Sequence, residues 1–84
     1  EVIADGKNVK VTPIEFKILL LLIRNPGRVF PAEEIYERGW DERAINTDTV
    51  MVHIRNLREK IEVDPKDPKY IKVVWGVGYK LEKQ

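Results

Sequence analysis

The 84-residue chain contains no cysteine and no serine, and its only histidine is His53. Without cysteine it can form no disulfide bond and offers no thiolate to a metal ion, so a reducing compartment is permitted. Serine and cysteine nucleophiles are excluded as well. The threonines and carboxylates have no suitable general base near them in the sequence. Because metal ligands come in clusters, a single histidine does not predict a metal site. We therefore expect no catalysis, no metal and no cofactor.

Long apolar runs are also absent. The longest run extends only from Ile18 to Ile23, whereas a helix that spans a membrane needs about 20 residues. No basic segment followed by an apolar one opens the chain. The sequence therefore predicts no membrane partner and a cytoplasmic protein. Hydrophobic residues make up 43% and charged residues 35%, which is typical of one small globular domain.

The net charge is only +1, which argues neither for nor against a polyanionic partner. The distribution of charge is more informative. Residues 66–83 are rich in lysine, whereas residues 33–42 are mainly acidic and have Arg38 as their only base. We therefore expect two differently charged ends, a basic end that favours phosphate and an acidic end that favours protein.

The first part of the chain predicts a hairpin and a helix. Residues 2–4 and 9–11 have strand character and flank Asp5-Gly6, a dipeptide suited to a tight turn. Thr12 can cap a helix in which Glu15 completes a capping box. That helix is apolar on more than one side, which predicts the central core helix, and Asn-Pro-Gly ends it.

A second helix is predicted over residues 32–38, after a short strand or extended link that ends at Phe30. Its expected anchor to the core is Ile35. Gly39 is predicted to open a loop that reaches about Asn46, longer than a standard helix-turn-helix allows. Trp40 fits a hydrophobic lid over the helix junction better than an exposed contact.

The third predicted helix, Thr47 to Val63, ends before Asp64-Pro65. Its apolar stripe consists of residues at helical spacing, namely Val50, Ile54, Leu57 and Ile61. Val52, Arg55 and Asn56 point away from that stripe. Arginine can donate a fork to guanine, asparagine can pair with adenine, and valine can contact a thymine methyl group. Taken alone, the helix fits a solvated surface with weak ion pairs better than a base-reading surface.

The C-terminal part of the chain makes base reading by the third helix the better interpretation. Residues 70–75 and 79–82 are predicted strands on either side of Gly-Val-Gly, which indicates a hairpin. No helix follows this Gly-x-Gly, so a phosphate-binding loop is not predicted. Three helices, with strands before them and a hairpin behind, predict an α+β fold, the winged helix-turn-helix. In that architecture the third helix enters the major groove and the hairpin lies on the backbone or minor groove.

Three segments carry a family resemblance: VTPIEFKILLLLIRNPGRVF at 11–30, TVMVHIRNLREKIE at 49–62 and YIKVVWGVGYKLE at 70–82. They resemble the C-terminal effector domains of OmpR/PhoB-type bacterial two-component response regulators. The resemblance covers nearly the whole chain, and its ending WGVGYKLE is similar to the VanR-type subgroup. It implies one winged-helix DNA-binding domain over residues 1–84 that controls transcription.

The resemblance also implies partners. Such domains follow a receiver domain, missing from this chain, that a sensor histidine kinase phosphorylates. They bind direct repeats in double-stranded DNA head to tail, and the isolated domain is expected to be monomeric. They contact RNA polymerase through the loop before the third helix, where the implied residues are Trp40, Asp41, Glu42 and Arg43.

By position, Val52, His53 and Asn56 match base-reading residues of the family. Thr49, Arg55 and Arg58 match residues that mainly make phosphate or flanking contacts. The full set of predicted DNA-binding residues is Thr49, Met51, Val52, His53, Arg55, Asn56, Arg58, Lys60, Lys72 and Trp75. Asn56 stands where many members have arginine, so the preferred base sequence should differ.

Trp75 replaces an arginine that some members insert into the minor groove. Two outcomes are open for it: the indole packs against DNA sugars, or it stays folded on the domain. The near-neutral charge also leaves one alternative function open. This is a winged-helix module for protein–protein contact without DNA specificity.

Overall fold

The computed structural model describes residues 2–4, 6–40 and 48–82. In chain order the elements are β1 (Val2–Ala4), β2 (Lys7–Val9), α1 (Pro13–Arg24), α2 (Ala32–Trp40), α3 (Asp48–Ile61), β3 (Ile71–Val74) and β4 (Gly78–Leu81). β1 pairs with β2 and β3 with β4, both antiparallel. The predicted α+β architecture, with three helices between two hairpins, is confirmed.

The first hairpin turns where the sequence predicts, but its second strand is displaced. Val2 pairs with Val9 and Ala4 with Lys7, so β2 covers residues 7–9 and the prediction of a strand at 9–11 was wrong. The cause is the tight turn. Gly6 adopts a positive φ of 76°, which lets pairing resume at the next residue, and a two-residue turn sets the register of both strands.

The predicted start of α1 is confirmed at atomic detail. The Oγ1 of Thr12 accepts a hydrogen bond from the backbone N–H of Glu15 at 3.2 Å, and the Oε1 of Glu15 accepts one from the N–H of Thr12 at 3.1 Å. Beyond this capping box, Ile18, Leu19 and Leu22 are buried. The prediction that α1 is the central core helix therefore holds.

α2 runs two residues past its predicted end, so the prediction of a loop from Gly39 was wrong. The rings of Tyr36 and Trp40 stack with their centroids 4.6 Å apart, a contact between successive turns of the helix. Gly39 is buried close to Ile18, so helical packing continues through it. Ile35 is fully buried, as predicted.

α3 is shorter than predicted at its C-terminal end. It stops at Ile61, before the predicted limit of Val63. The next residue, Glu62, still donates its N–H to the carbonyl of Arg58 at 2.9 Å. Its own side chain, however, bonds to the backbone just before and at the start of β3. That contact draws the chain away from the helix before Asp64 is reached.

The C-terminal hairpin, here called the wing (residues 71–81), pairs Ile71 with Leu81 and Val74 with Gly78. β3 is one residue shorter than predicted at each end, and β4 begins and ends one residue earlier than predicted, because Trp75, Gly76 and Val77 form the turn, in which the N–H of Val77 donates to the carbonyl of Val74 at 2.9 Å. Phe30 joins β4 through two hydrogen bonds with Tyr79, at 2.8 and 3.0 Å. The extended link predicted before α2 therefore supports the wing.

One hydrophobic core packs the three helices against Phe30, which pairs with β4, and against Ile71, the first residue of β3. Its buried members are Ile18, Leu19, Leu22, Phe30, Ile35, Val50, Ile54, Leu57, Ile61 and Ile71. The predicted stripe of α3 lies entirely within this core. Because burial of the stripe fixes the rotation of α3 about its axis, the opposite face of the helix points outward.

Candidate nucleic-acid interface

The outer face of α3 is accessible at the residues that matter for base reading. Val52 is 55% exposed, Arg55 is exposed and Asn56 is half-buried. None of the three side chains is fully buried. An apolar group, a guanidinium and an amide therefore lie side by side on a helix, and these three types of group can discriminate base edges in the major groove.

The N-terminal end of the same face is mixed in character. Asp48, Met51, Val52 and Arg55 line one shallow groove. Met51 extends the apolar surface of Val52, which suits contact with thymine methyl groups. Asp48 stabilises the N-terminus of α3 through the helix dipole, but its negative charge makes this end less attractive to phosphate.

His53, a predicted base-reading residue, lies toward α2 and is half-buried. Its ring packs edge-on against Trp40, with centroids 5.2 Å apart. Its Nδ1 is buried and has no hydrogen-bond partner in the described part of the chain. His53 and Trp40 thus form part of the junction between α2 and α3, and Trp40 occupies the lid position expected of it.

Of the four predicted polymerase-contact residues, the structure describes Trp40. Trp40 belongs to α2 and is half-buried, so its assignment to a loop was wrong, because its stacking on Tyr36 extends the helix. Asp41, Glu42 and Arg43 lie outside the described residues.

Two of the predicted DNA-binding residues, Arg58 and Lys60, are bonded to the protein itself. The guanidinium of Arg58 donates to the carbonyl of Ile71 at 3.0 and 3.2 Å. The Nζ of Lys60 donates to Oε1 of Glu15 at 2.5 Å. The partners lie 13 and 45 positions away along the chain. No pattern local to α3 could have identified them.

The Lys60–Glu15 pair is held in a buried setting, since Glu15 is only 2% exposed. Burial raises the pKa of the Glu15 carboxyl. The hydrogen bonds from Lys60 and from the backbone of Thr12, with the charges of Lys60 and His53, outweigh it and bring the pKa below its ordinary value of 4.5. The carboxylate is therefore charged at neutral pH and holds the side chain of Lys60, which lies in α3, against α1.

A second carboxylate that sequence reasoning missed fixes the wing. Glu62 is 7% exposed and accepts the backbone N–H groups of Lys69, Tyr70 and Ile71 at 2.8, 3.0 and 2.9 Å. Arg58 meanwhile binds the carbonyl of Ile71. The backbone of Ile71 is thus held by Arg58 in α3 and by Glu62 immediately after it, which sets the angle between this helix and the wing.

The wing presents lysines at its sides and apolar groups at its tip. Lys72 pairs with Lys80 across the two strands, and Lys80 also forms an ion pair with Glu82 at 3.2 Å. Trp75 is 88% exposed and Val77 is exposed beside it. The alternative in which Trp75 stays folded on the domain is therefore wrong: the sharp turn at Gly76 leaves the indole in solvent.

Within the described ranges, no helix is long and apolar enough to cross a membrane. The same ranges contain no group of three or more His, Cys, Asp or Glu side chains placed to hold a metal ion.

Comparison with known proteins agrees with this geometry. Residues 6–81 match the family described as "Transcriptional regulatory protein, C terminal". Over 79 residues the chain is 53% identical to the regulatory protein VanRc of Enterococcus gallinarum, covering 93% of this chain and 34% of the relative. The chain spans about a third of the length of the curated relatives it matches.

Solved structures give the same result. The response regulator DrrB, a Thermotoga maritima OmpR/PhoB homolog, matches with a TM-score of 0.84 and 38% identity, over 93% of this chain and 36% of that one. The DNA-binding domain of AdeR, solved in complex with an intercistronic region, matches with a TM-score of 0.78 and 29% identity, over 96% and 83%. The chain therefore belongs to the family of C-terminal domains of transcriptional regulatory proteins, and within it to the OmpR/PhoB type.

Proposed function

We propose that this chain binds double-stranded DNA in a sequence-dependent manner and thereby controls transcription. α3 enters the major groove and the wing lies on the adjacent backbone or minor groove. The observation that carries the proposal is the accessibility of Val52, Arg55 and Asn56 on a helix whose opposite side is buried. Support also comes from the similar AdeR domain, which was solved in complex with an intercistronic region.

The residues divide into three roles under this proposal. Val52 and Asn56 read base edges. Arg55 and the side chains at the flanks of α3 and the wing, including Thr49 and Lys72, contact phosphates or flanking positions. Arg58, by contrast, acts mainly as a positioning residue, because its guanidinium holds the wing through Ile71.

We further propose that the domain works within a longer, cytoplasmic response regulator. A sensor histidine kinase phosphorylates the receiver domain of that protein. The effector domain is monomeric alone and binds direct repeats head to tail, and the segment between α2 and α3 contacts RNA polymerase. In support, the chain spans about a third of its curated relatives, and one solved neighbour is a response regulator of OmpR/PhoB type.

Selection of bound duplexes from a random pool tests the proposed function. We expect one enriched motif and, for the selected duplex, a binding constant that falls steeply as salt rises, because phosphate neutralisation releases counterions. Fluorescence anisotropy from low to physiological salt measures that slope. A V52A/N56A variant keeps every positive charge, so it should keep the slope and lose the motif. Failure to bind any duplex, or a flat salt response, would instead favour the protein–protein module.

A further inference from the structure

The tip of the wing exposes the most accessible large apolar side chain of the described residues. Trp75 is 88% exposed, although tryptophan is highly buried on average in folded proteins. Val77, and to a smaller extent Val73, add apolar surface beside the indole. Exposure of this kind at a loop tip points to contact with another molecule.

The exposed indole is carried on a well-anchored support. The turn is closed by the bond from Val77 to Val74. β4 is bonded to Phe30 through Tyr79, and β3 is bonded to Glu62 and Arg58 through Ile71. A rigid support lowers the entropy lost on binding, since the tip is already ordered.

Charge around the tip selects the class of partner. Lys72 and Lys80 are cross-strand partners behind Trp75. Lys80 also forms an ion pair with Glu82 at 3.2 Å, so these three side chains together carry one net positive charge. Cations behind an apolar tip match the minor groove, where side chains neutralise the flanking phosphates while an apolar wedge enters between base steps. The indole itself carries no charge, so it would contribute by stacking and by apolar contact, not by phosphate neutralisation.

We propose that Trp75 enters the minor groove next to the α3 site and wedges against one base step, partly unstacking it. The inference rests on the proposed function, because it needs α3 to place the wing on the duplex. Pyrimidine–purine steps unstack most easily. Trp75 therefore adds a preference for such a step at a position that α3 does not touch.

Substitutions at the tip measure the contribution of the indole. On the selected duplex we expect W75A to weaken binding roughly five- to 150-fold, the range typical of one lost base–aromatic contact. The salt slope should stay unchanged because no charge is removed. W75F should lose less affinity than W75A. K72A should instead lower the slope by about one, and I23A, which truncates an exposed apolar residue of α1, should leave both unchanged.

Two further readouts separate a wedge from a contact with the sugars. A 2-aminopurine base at the wing-side step should brighten on binding of the parent protein and stay dim with W75A, because unstacking relieves its quenching. Replacing that pyrimidine–purine step by a stiff A-tract should weaken binding of the parent protein several-fold. The same replacement should leave W75A nearly unaffected.

The outcomes distinguish the wedge from the proposed function. If the parent protein binds the selected duplex and W75A matches it within twofold, the wedge is overturned and the proposed function stands. Loss of affinity in W75A without any 2-aminopurine signal would also overturn the wedge, in favour of a contact with the sugars. If Trp75 proved necessary for binding to phosphatidylglycerol vesicles but not to the duplex, the tip would be a membrane contact. Absence of duplex binding by the parent protein would overturn both proposals.

Discussion

The guanidinium of Arg58 donates two hydrogen bonds to the backbone carbonyl of Ile71, from Nε at 3.2 Å and from Nη2 at 3.0 Å. Ile71 is fully buried and begins β3, whereas Arg58 lies in α3. The bonds therefore tie the proposed recognition helix to the wing. A change at Arg58 consequently alters the fold as well as the charge presented to DNA.

Replacement of Arg58 by lysine should separate these two effects. R58K keeps the positive charge but loses the planar fork that bonds twice to one carbonyl. We expect the free energy of unfolding, measured in urea, to fall by about 1–2 kcal/mol, with weaker DNA binding and an unchanged salt slope. R55K, at an exposed position of the same helix, should be as stable as the parent. Unchanged stability of R58K would mean that Arg58 acts on phosphate alone.

Glu62 holds the same strand from the other side, so E62Q should also loosen the wing. A glutamine side chain has only one acceptor oxygen for the three N–H groups of residues 69–71 and carries no charge. Hydrogen bonds to charged groups are each worth about 1.5–3 kcal/mol, and we expect a loss of stability in that range. Amide hydrogen exchange at residues 69–71 should accelerate. E59Q, exposed on α3, is the control and should change neither quantity.

The pair of Glu15 and Lys60 predicts a pH dependence of stability. Because the pKa of folded Glu15 is lowered from 4.5, its stabilising effect is fully present above that value and is lost as pH falls through the folded pKa. E15Q retains an oxygen for the N–H of Thr12 but not the charge. The parent protein should therefore be more stable than E15Q at neutral pH. The free energies of unfolding of the two proteins, measured in urea between about pH 7 and pH 3, should converge at the acid end. A difference that stays constant with pH would contradict the assignment.

The elements predictable from the sequence are those whose signals are local. The capping box at Thr12, the turn at Gly6 and the buried stripe of α3 each depend on residues a few positions apart. The helical continuation through Gly39 to Trp40 did not follow from the sequence. It results from the stacking of Trp40 on Tyr36 and from the packing of Gly39 near Ile18, and the second contact exists only once the helices have assembled.

The candidate site divides in the same way. Periodicity alone is enough to place Val52 and Arg55 on the outer face of α3. It cannot assign Arg58 or Lys60, because their partners come from β3 and α1. Nor could it choose between the two outcomes for Trp75, since the exposure of the indole depends on how the hairpin is anchored.

Gly78, the first residue of β4, has a steric role that the Gly-Val-Gly sequence does not predict. A Cβ at this position would lie 2.0 Å from the carbonyl oxygen of Phe30 and 2.8 Å from the Cα of Pro31. G78A should therefore force the wing away from Phe30 and cost about 2 kcal/mol or more in urea unfolding. Gly76 is the matched control. A Cβ there would have nothing within 4 Å, so G76A should cost only the strain of its positive φ, about 1 kcal/mol. The reverse order of the two losses would contradict the close approach of β4 to Phe30.

Asn56 provides the sharpest test of base reading on α3. The alanine variant N56A loses the amide but no charge, so we expect the preference at one base pair to relax by about 1–3 kcal/mol while the salt slope stays the same. The measurement is a panel of duplexes, each with one substituted base pair of the selected site, titrated by anisotropy. R55A is the matched control on the adjacent outer position of the helix: if Arg55 contacts phosphate, this variant should weaken all duplexes alike and lower the slope by about one. Equal weakening of every duplex by N56A would show that the amide reads no base, and the half-buried position of Asn56 would then serve the fold instead.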